Sequence, residues 1–594
     1  MNRSFKNRIL LLPLGLLFAA MSFNGCSELN FGNRFLDQQP EQVGINLDTV
    51  FSKKYYAMQV LTKAYTTLPY GIPYDASPNL GGDLSDALTE LSYSTLTYGG
   101  ARKVYYVGAY SAANESTLSK YFFTNSKIWS GIRYSWLMIE NVDRVPDMTS
   151  LEKNRAKAEA KVIIATHYSE LFRHFGGVPY LDHATGVNEA FHYERLTVAE
   201  TVSRIVTLID EALPHLEWKE SDENDNGRMT KAYAMALKLR VLLFAASPLF
   251  NSAEPYLAGE ASDRHLTWYG NYDVQRWRDA ESAGRAFMEE LAASGVYDLV
   301  QPATQDEEGY RKAYHDAYFT RTSSEVLLSV RMNYHNNYAS VFCGATNNYA
   351  KNQCPTLAFM TLFPMSDGSA FPEDFDWKSG AVDPCANRDP RFYETILTNG
   401  RDYQGRKCQL YVGGVDRKDE NTDGTGLLMY KFSQDYTTAT SLGAVDSWPA
   451  IRLPEVYLSY AEAINEANGG PNDTAYDLVN RVRNRVGLGN LPEGLDQTAF
   501  REAVLRERAC EFGYENVHWF DIVRWKNEAA LRADIQGVNM YQDNSTPTKF
   551  RYAIFDIKPN RVWKDQWSPK WYLSAIPADE IYKNYGLVQN PGWE

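Results

Sequence analysis

The chain has 594 residues, a formal net charge of −14, and a composition that is 44% hydrophobic and 13% aromatic. That length suits several domains or one large one, because single cores rarely grow past about 300 residues. The negative balance excludes nucleic acid as a partner, since binding a polyanion needs a basic face.

At the N-terminus Arg3, Lys6 and Arg8 precede a charge-free run from Ile9 to Met21. The run is too short to span a bilayer, which takes about 20 apolar residues. A basic opening before a short apolar stretch is the pattern of an export signal. It closes at Phe23-Asn24-Gly25-Cys26, which resembles the lipobox of bacterial lipoproteins, although Phe23 stands where a smaller aliphatic is usual. The resemblance implies that residues 1–25 are removed and that Cys26 carries a lipid anchor. The alternative is an ordinary secretory signal cut a few residues away, with Cys26 a free thiol. Residues 26–45 are polar and rich in Asn and Gln, as a tether should be.

Helical periodicity dominates both ends of what remains. Ile164, Tyr168, Leu171, Phe172 and Phe175 share one face of a helix that Gly176-Gly177 stops. His167, Glu170 and His174 fall on its polar side, a reading preferred over a metal-binding face. Thr197 with Glu200 forms a capping box ahead of a stripe made by Val202, Ile205, Val206, Ile209, Ala212, Leu213 and Leu216. Thr230 caps a helix that runs to Pro248. From about 252 to 445 the chain is rich in Asn, Gly, Pro, Asp and aromatics, which predicts irregular structure with short strands at "EVLLSV" and "AIRL". Leu453, Val456, Tyr457, Tyr460, Ala461, Ile464 and Ala467 make another stripe; Thr474 then caps a helix ending at Val486-Gly487, and a third runs from about Thr498 to Phe512. Amphipathic helices joined by short loops pack as antiparallel pairs, as in tetratricopeptide-like repeats. The predicted fold is therefore mostly α: tetratricopeptide-like helix pairs over roughly 46–250 and 446–594, with a large irregular lobe over roughly 251–445 inserted between them.

Chemistry-bearing motifs are sparse. There is no GxSxG, GxxxxGK[ST] or HExxH, so the common hydrolase, P-loop and zinc-protease signatures are missing. Asp83 and Asp86 could serve as the acid and base of a glycosidase, but the chain is read as a binding protein and not an enzyme. No cofactor is predicted. The candidates for a structural calcium are "DENDNG" from Asp222 and "DENTDG" from Asp419, and each carries a tyrosine, Tyr233 or Tyr430, where a bidentate Glu belongs. Cys343, Cys354, Cys385 and Cys408 fall in one loop-rich region, where one disulfide is expected in an oxidising compartment. "RERACEFGYENVHWFDIVRW" is read as structural, with Arg506, Glu507 and Arg508 packing helices and Trp519 and Phe520 in the core.

Taken together, "GRMTKAYAMALKLRVLLFAASPLF", "DPRFYETI", "IRLPEVYLSYAEAINEANG", "LVNRVRNRVGL", "RERACEFGYENVHWFDIVRW" and the closing "SAIPADEIYKNYGLVQNPGWE" resemble the SusD/RagB family of Bacteroidota outer-membrane lipoproteins. The resemblance implies a surface lipoprotein of the outer membrane. Such a protein lies as a lid on a SusC-like TonB-dependent transporter and captures oligosaccharide for import; relatives of the RagB type capture peptides instead. Sugar recognition needs aromatic rings for the C–H face of the ring and Asn, Asp, Arg or Gln for its hydroxyls. The stretches that combine these supply Asp83, Asp86, Tyr93, Tyr98, Tyr105 and Tyr106; Trp268 and Tyr269; and Tyr334, Asn336, Asn337, Tyr338 and Tyr349.

Overall fold

A computed structural model describes residues 47–71, 80–97, 99–186, 189, 192–331, 353–403, 405–417, 420, 424–432, 447–558 and 561–594. Two compact units divide the described residues: 47–59 with 143–148, and those within 60–142 and 149–594. In the first, Arg144 pairs with Asp48 at 3.2 Å and lies 5.7 Å from the Phe51 ring, while Asp147 accepts the Lys54 amide at 2.6 Å.

The second unit is built of helices whose starts are set by local side chains. Asn125 caps α1 (Ser126–Asn141), and Thr149 with Glu152 forms a capping box on α2 (Ser150–Phe175). The expected box of Thr197 and Glu200 opens α3 (Val198–Ala212), and Thr230 opens α4 (Lys231–Ala246). Next come α5 (Gln275–Ser294) and α6 (Glu307–Phe319). The C-terminal part holds α7 (Leu453–Asn468), closed by Gly469 at φ 72°, then α8 (Asp473–Arg485), α9 (Gln497–Phe512) and α10 (His518–Arg524). Asn472, two residues before Thr474, is the cap of α8: its side chain accepts the Ala475 amide.

Neighbouring helices pack in chain order, α1 on α2, α2 on α3 and α3 on α4, and α7 packs on both α8 and α9. The mostly helical, paired architecture expected from periodicity is the one observed. The segment read as irregular nevertheless holds two full helices. α5 packs against both α4 and α7 and so joins the two helical halves. Periodicity understates α5 because much of it is exposed and only Trp277, Ala280, Gly284, Phe287 and Leu291 face inward. Gly284 is required there, since a Cβ would overlap the Tyr460 ring of α7. The predicted strands form β2 (Val326–Arg331) and β4 (Ser447–Arg452), paired antiparallel with a register shift after Val326. β1 (Ser92–Ser94) pairs with β3 (Gln353–Pro355), and β5 (Gln536–Gln542) pairs with β6 (Phe550–Asp556), both antiparallel.

Two expectations are corrected by burial, and a third is narrowed. α2 has no polar side in its second half: His167 and His174 are buried, His167 Nε2 lying 2.9 Å from Thr67 Oγ1 and His174 stacking on Tyr121 at 4.6 Å. Arg506 is exposed, while Glu507 and Arg508 of the same run are buried. Cys385, Cys408 and Cys510 are free thiols, so the expected disulfide does not use Cys385 or Cys408; Cys343 lies outside the described residues.

Where the helical halves meet the strands, a set of buried charges closes on itself. Arg485 of α8 reaches Glu325 and Glu511, each at 2.6 Å. Arg452 reaches Glu511 at 2.9 Å, Glu325 at 3.1 Å and Glu515 at 2.7 Å. Arg391 binds Glu507 at 2.6 Å, Glu511 at 3.1 Å and Asp389 at 2.8 Å. Lys431 adds Glu515 at 2.7 Å and Arg483 adds Glu507 at 3.1 Å. Five cations face five carboxylates, so the cluster is neutral as a whole. Burial pushes the Glu511 carboxyl up, but Arg485, Arg452 and Arg391 outweigh it and hold the group well below its ordinary value.

Removing one member strands its partners in a dry interior, which costs about 3–5 kcal/mol. Arg485→Met should therefore lower the urea midpoint sharply. Arg481→Met, which breaks the exposed pair with Asp477, should cost under about 1 kcal/mol. Equal effects of the two substitutions in urea melts would show that the buried cluster adds nothing beyond a surface pair.

Candidate functional site

Beside the charge cluster lies a chamber of about 80 Å³, room for a few water molecules. α2 supplies Glu170, Arg173 and His174; α4 supplies Tyr233 and Arg240; β2 and β4 supply Leu328, Val330, Trp448 and Ala450. Tyr70, Gly71, Leu80 and Asp83 complete one side, and Glu515, Asn516 and Phe520 another.

Several charged groups on these walls are already paired, although the buried Arg173 Nε has no partner among the described residues. Arg240 forks onto Glu455 with two contacts of 2.7 Å and donates to the Ala450 carbonyl at 2.7 Å. Arg173 pairs with Glu170 and lies 3.7 Å from the Phe520 ring. Lys120 donates to the Trp571 carbonyl at 3.2 Å and sits 4.4 Å from the Trp519 ring; burial brings its pKa down to about 7. Burial likewise holds His174 well below its ordinary value, so the ring is neutral. The arrangement offers fixed dipoles and ring faces. It brings no two free carboxylates together for acid–base work.

Described residues that flank three further stretches of the chain lie on or next to this chamber. Gly71 and Leu80, which flank residues 72–79, both line it. Val330 lines it just before residues 332–352, and Gln353 just after them donates to the wall residue Asp83 at 2.8 Å. Phe432 and Trp448 flank residues 433–446; their rings lie 5.4 Å apart, and Trp448 lines the chamber.

The residues predicted to meet a sugar are placed differently from one another. Asp83 is buried and accepts from Ser94 Oγ, from the Ala101 amide at 3.0 Å and from Gln353. Asp86 is buried and accepts the Tyr514 amide at 3.0 Å. Tyr93 and Tyr106 stack on each other at 5.2 Å, and Tyr106 donates to the Ala87 carbonyl at 2.7 Å. Tyr105 stacks on Tyr110 at 4.9 Å. These five present no open ring face or free hydrogen-bonding edge at the surface: the early aromatic stretch is core. Trp268 and Tyr269 are half-exposed and lie away from the chamber; Trp268 donates to the Ser262 carbonyl at 2.8 Å, and the Arg276 guanidinium covers Tyr269 at 3.9 Å. Tyr98, Tyr334, Asn336, Asn337, Tyr338 and Tyr349 lie outside the described residues, as does Cys26. Tyr70 and Trp448, which the structure does bring to the chamber, sit in no sugar-like cluster of the sequence and were missed for that reason.

Of the two calcium-like loops, the one from Asp222 is described. Asp222 accepts from the Asn224 amide and side chain at 2.8 and 2.9 Å, while Arg331 takes the carbonyls of Asn224 and Asn226 at 3.3 and 2.9 Å. The loop's oxygens thus serve a turn and a guanidinium. Most of the loop from Asp419 lies outside the described residues.

Comparison with known proteins gives two family matches. Residues 316–593 match the model described as the SusD family, and residues 89–243 match one described as starch-binding associating with outer membrane. SusD-like protein P25 of Formosa agariphila is 40% identical over 189 residues, 27% of this chain and 35% of that protein, so the match spans about a third of that relative. Starch-binding protein SusD of Bacteroides thetaiotaomicron is 22% identical over 476 residues, 76% of this chain and 75% of that one. The crystal structure of a SusD-like protein from Bacteroides fragilis superposes with a TM-score of 0.69 at 21% identity, covering 92% of this chain and 98% of that one.

Asp83 ties the chamber wall to both β1 and β3, and burial raises its pKa from 3.8 to about 7. A raised carboxyl stabilises the fold below its unfolded value, and that stability is lost as pH rises through the folded one. Asp83→Asn should therefore flatten the decline in stability between about pH 4 and pH 7, by about 1 kcal/mol or more. Parallel pH profiles of the two proteins in chemical denaturation would show that Asp83 does not titrate in the fold.

Proposed function

The chain belongs to the SusD/RagB family, and from that premise we propose that it captures oligosaccharides at the cell surface and delivers them to a SusC-like TonB-dependent transporter. The observation that supports the reading is the pair of family matches, residues 316–593 to the SusD family and residues 89–243 to a family described as starch-binding associating with outer membrane. Residues 332–352, within the first match, are rich in Tyr and Asn, the residue types that stack on sugar rings and meet their hydroxyls. Tyr334, Asn336, Asn337, Tyr338 and Tyr349 are the residues proposed to make that contact, beside Tyr70 on the described wall. The same reading makes the protein a binder without catalytic activity of its own.

Attachment follows from the N-terminus. Among the described residues no helix is long and apolar enough to cross a membrane. The proposed anchor is a lipid on Cys26, holding the protein on the outer leaflet of the outer membrane beside its transporter.

Two measurements test this reading. Calorimetry of the full chain in detergent against neutral oligosaccharides and peptides should show binding of a glycan. An aromatic contact contributes about 0.5–1.5 kcal/mol, so Tyr338→Ala should weaken binding by about two- to tenfold. If peptides bind and every glycan fails, the peptide-capturing reading replaces this one. Cys26→Ala should release the protein from the outer-membrane fraction of cells lacking the transporter; retention there would refute the anchor.

A further inference from the structure

Apart from the chamber, and sharing no residue with it, an open groove of about 510 Å³ runs between α1, the segments around Pro179 and Tyr193, and the C-terminal segment. That volume is in the range of small-ligand sites, about 300–1,000 Å³. Trp129, Tyr193 and Tyr585 line it, each half-exposed. The polar ends of two of them are already used inside the protein. Trp129 donates its indole N–H to the Phe123 carbonyl at 2.7 Å, and Tyr193 donates its hydroxyl to Glu189 at 2.6 Å. What they offer the groove is ring surface.

The rim is polar, with two cations, Arg133 and Lys583, and one carboxylate, Glu580. Arg133 of α1 spends its Nε on the Thr185 carbonyl at 3.0 Å, and among the described residues its two Nη groups have no partner. Across from it Lys583 and Glu580 pair at 2.6 Å. The walls are fixed before any ligand arrives, because the Tyr193 amide donates to the Tyr585 carbonyl at 3.0 Å. An acyl chain would bury the Arg133 guanidinium without a partner, and a bare anion would leave the ring faces unused. A molecule with one apolar C–H face and an edge of hydroxyls satisfies both features at once. We propose that this groove is a second carbohydrate site, which holds one or two pyranose rings of a neutral glycan while the remainder of the same chain is held by the residues proposed above for capture. The inference rests on the glycan-capture reading. Its consequence is avidity: a second contact on one glycan acts at high effective concentration and tightens binding of long chains over short ones.

Fluorine NMR of the full chain labelled with fluorotryptophan, in a detergent without a sugar headgroup, tests it. The Trp129 signal is assigned with Trp129→Phe. The probes are maltose, cellobiose, laminaribiose, mannobiose and xylobiose at millimolar concentration. At least one should move the Trp129 signal, and Arg133→Ala and Tyr585→Ala should each weaken that response about three- to tenfold. Their Trp spectra should otherwise be unchanged, which reports an intact fold. A Trp129 signal that no probe moves, or a shift that survives both substitutions, overturns the proposal. The main reading fails separately: there calorimetry finds no glycan bound at all, whereas failure of the second site alone leaves calorimetric binding with a silent Trp129.

Discussion

The constraint on which the rest of the structure depends is charge neutrality in a dry place. Five cations and five carboxylates meet between β2, β4, α8 and α9, and neither set is tolerable without the other. A buried ion pair adds little stability over an apolar one of equal shape, but half of a pair is heavily penalised. The cluster therefore acts as a registry device: Glu325, Arg391, Arg452, Arg485 and Glu511 reach one another only when strand, loop and helix are all in place. That geometry fixes where β2 and β4 lie, and with them Val330 and Trp448 on the chamber wall.

A second device uses arginine differently. Arg195 is buried without a carboxylate and donates to the carbonyls of Phe175, Gly177 and Val588 at 2.9, 2.7 and 2.7 Å, and to Asn590 at 2.9 Å. Burial brings its pKa down to about 9, so it remains charged at neutral pH. It ties the C-terminal segment to the end of α2, where the carbonyls of a helix terminus lack partners of their own. Arg561 does the same for the carbonyls of Ala87 and Ser92, at 3.1 and 2.8 Å. These clasps make rigid walls out of loops, and a binding surface built from loops needs rigid walls.

The motifs that carry the family resemblance turn out to be the parts of these devices. "DPRFYETI" contributes Asp389 and Arg391, "IRLPEVYLSY" contributes Arg452, "LVNRVRNRVGL" contributes Arg483 and Arg485, and "RERACEF" contributes Glu507 and Glu511. Reading that last run as structural was right in kind, yet it could not distinguish its three charges. Helix geometry turns Glu507 and Arg508 inward and leaves Arg506 in solvent, and nothing in the order of the letters says which way α9 is rotated.

What the sequence determined by itself was set by near neighbours. Thr197 with Glu200 and Thr230 start their helices because a cap and the amides it satisfies lie within three residues. The apolar stripe of α7 stands because its period is local too. What only the tertiary structure decided was which polar residues face water. Asp83 and Tyr106 look like sugar ligands in a Tyr-rich stretch, but Asp83 is satisfied by Gln353 from far along the chain and Tyr106 lies beneath Arg561 at 5.3 Å. His167 and His174 repeat at helical spacing on what reads as a polar face, yet neighbours from Thr67, Tyr121 and Phe520 close over them. Burial is a property of partners distant in sequence, so a single sequence shows the need for a hydrogen bond without showing whether protein or water supplies it.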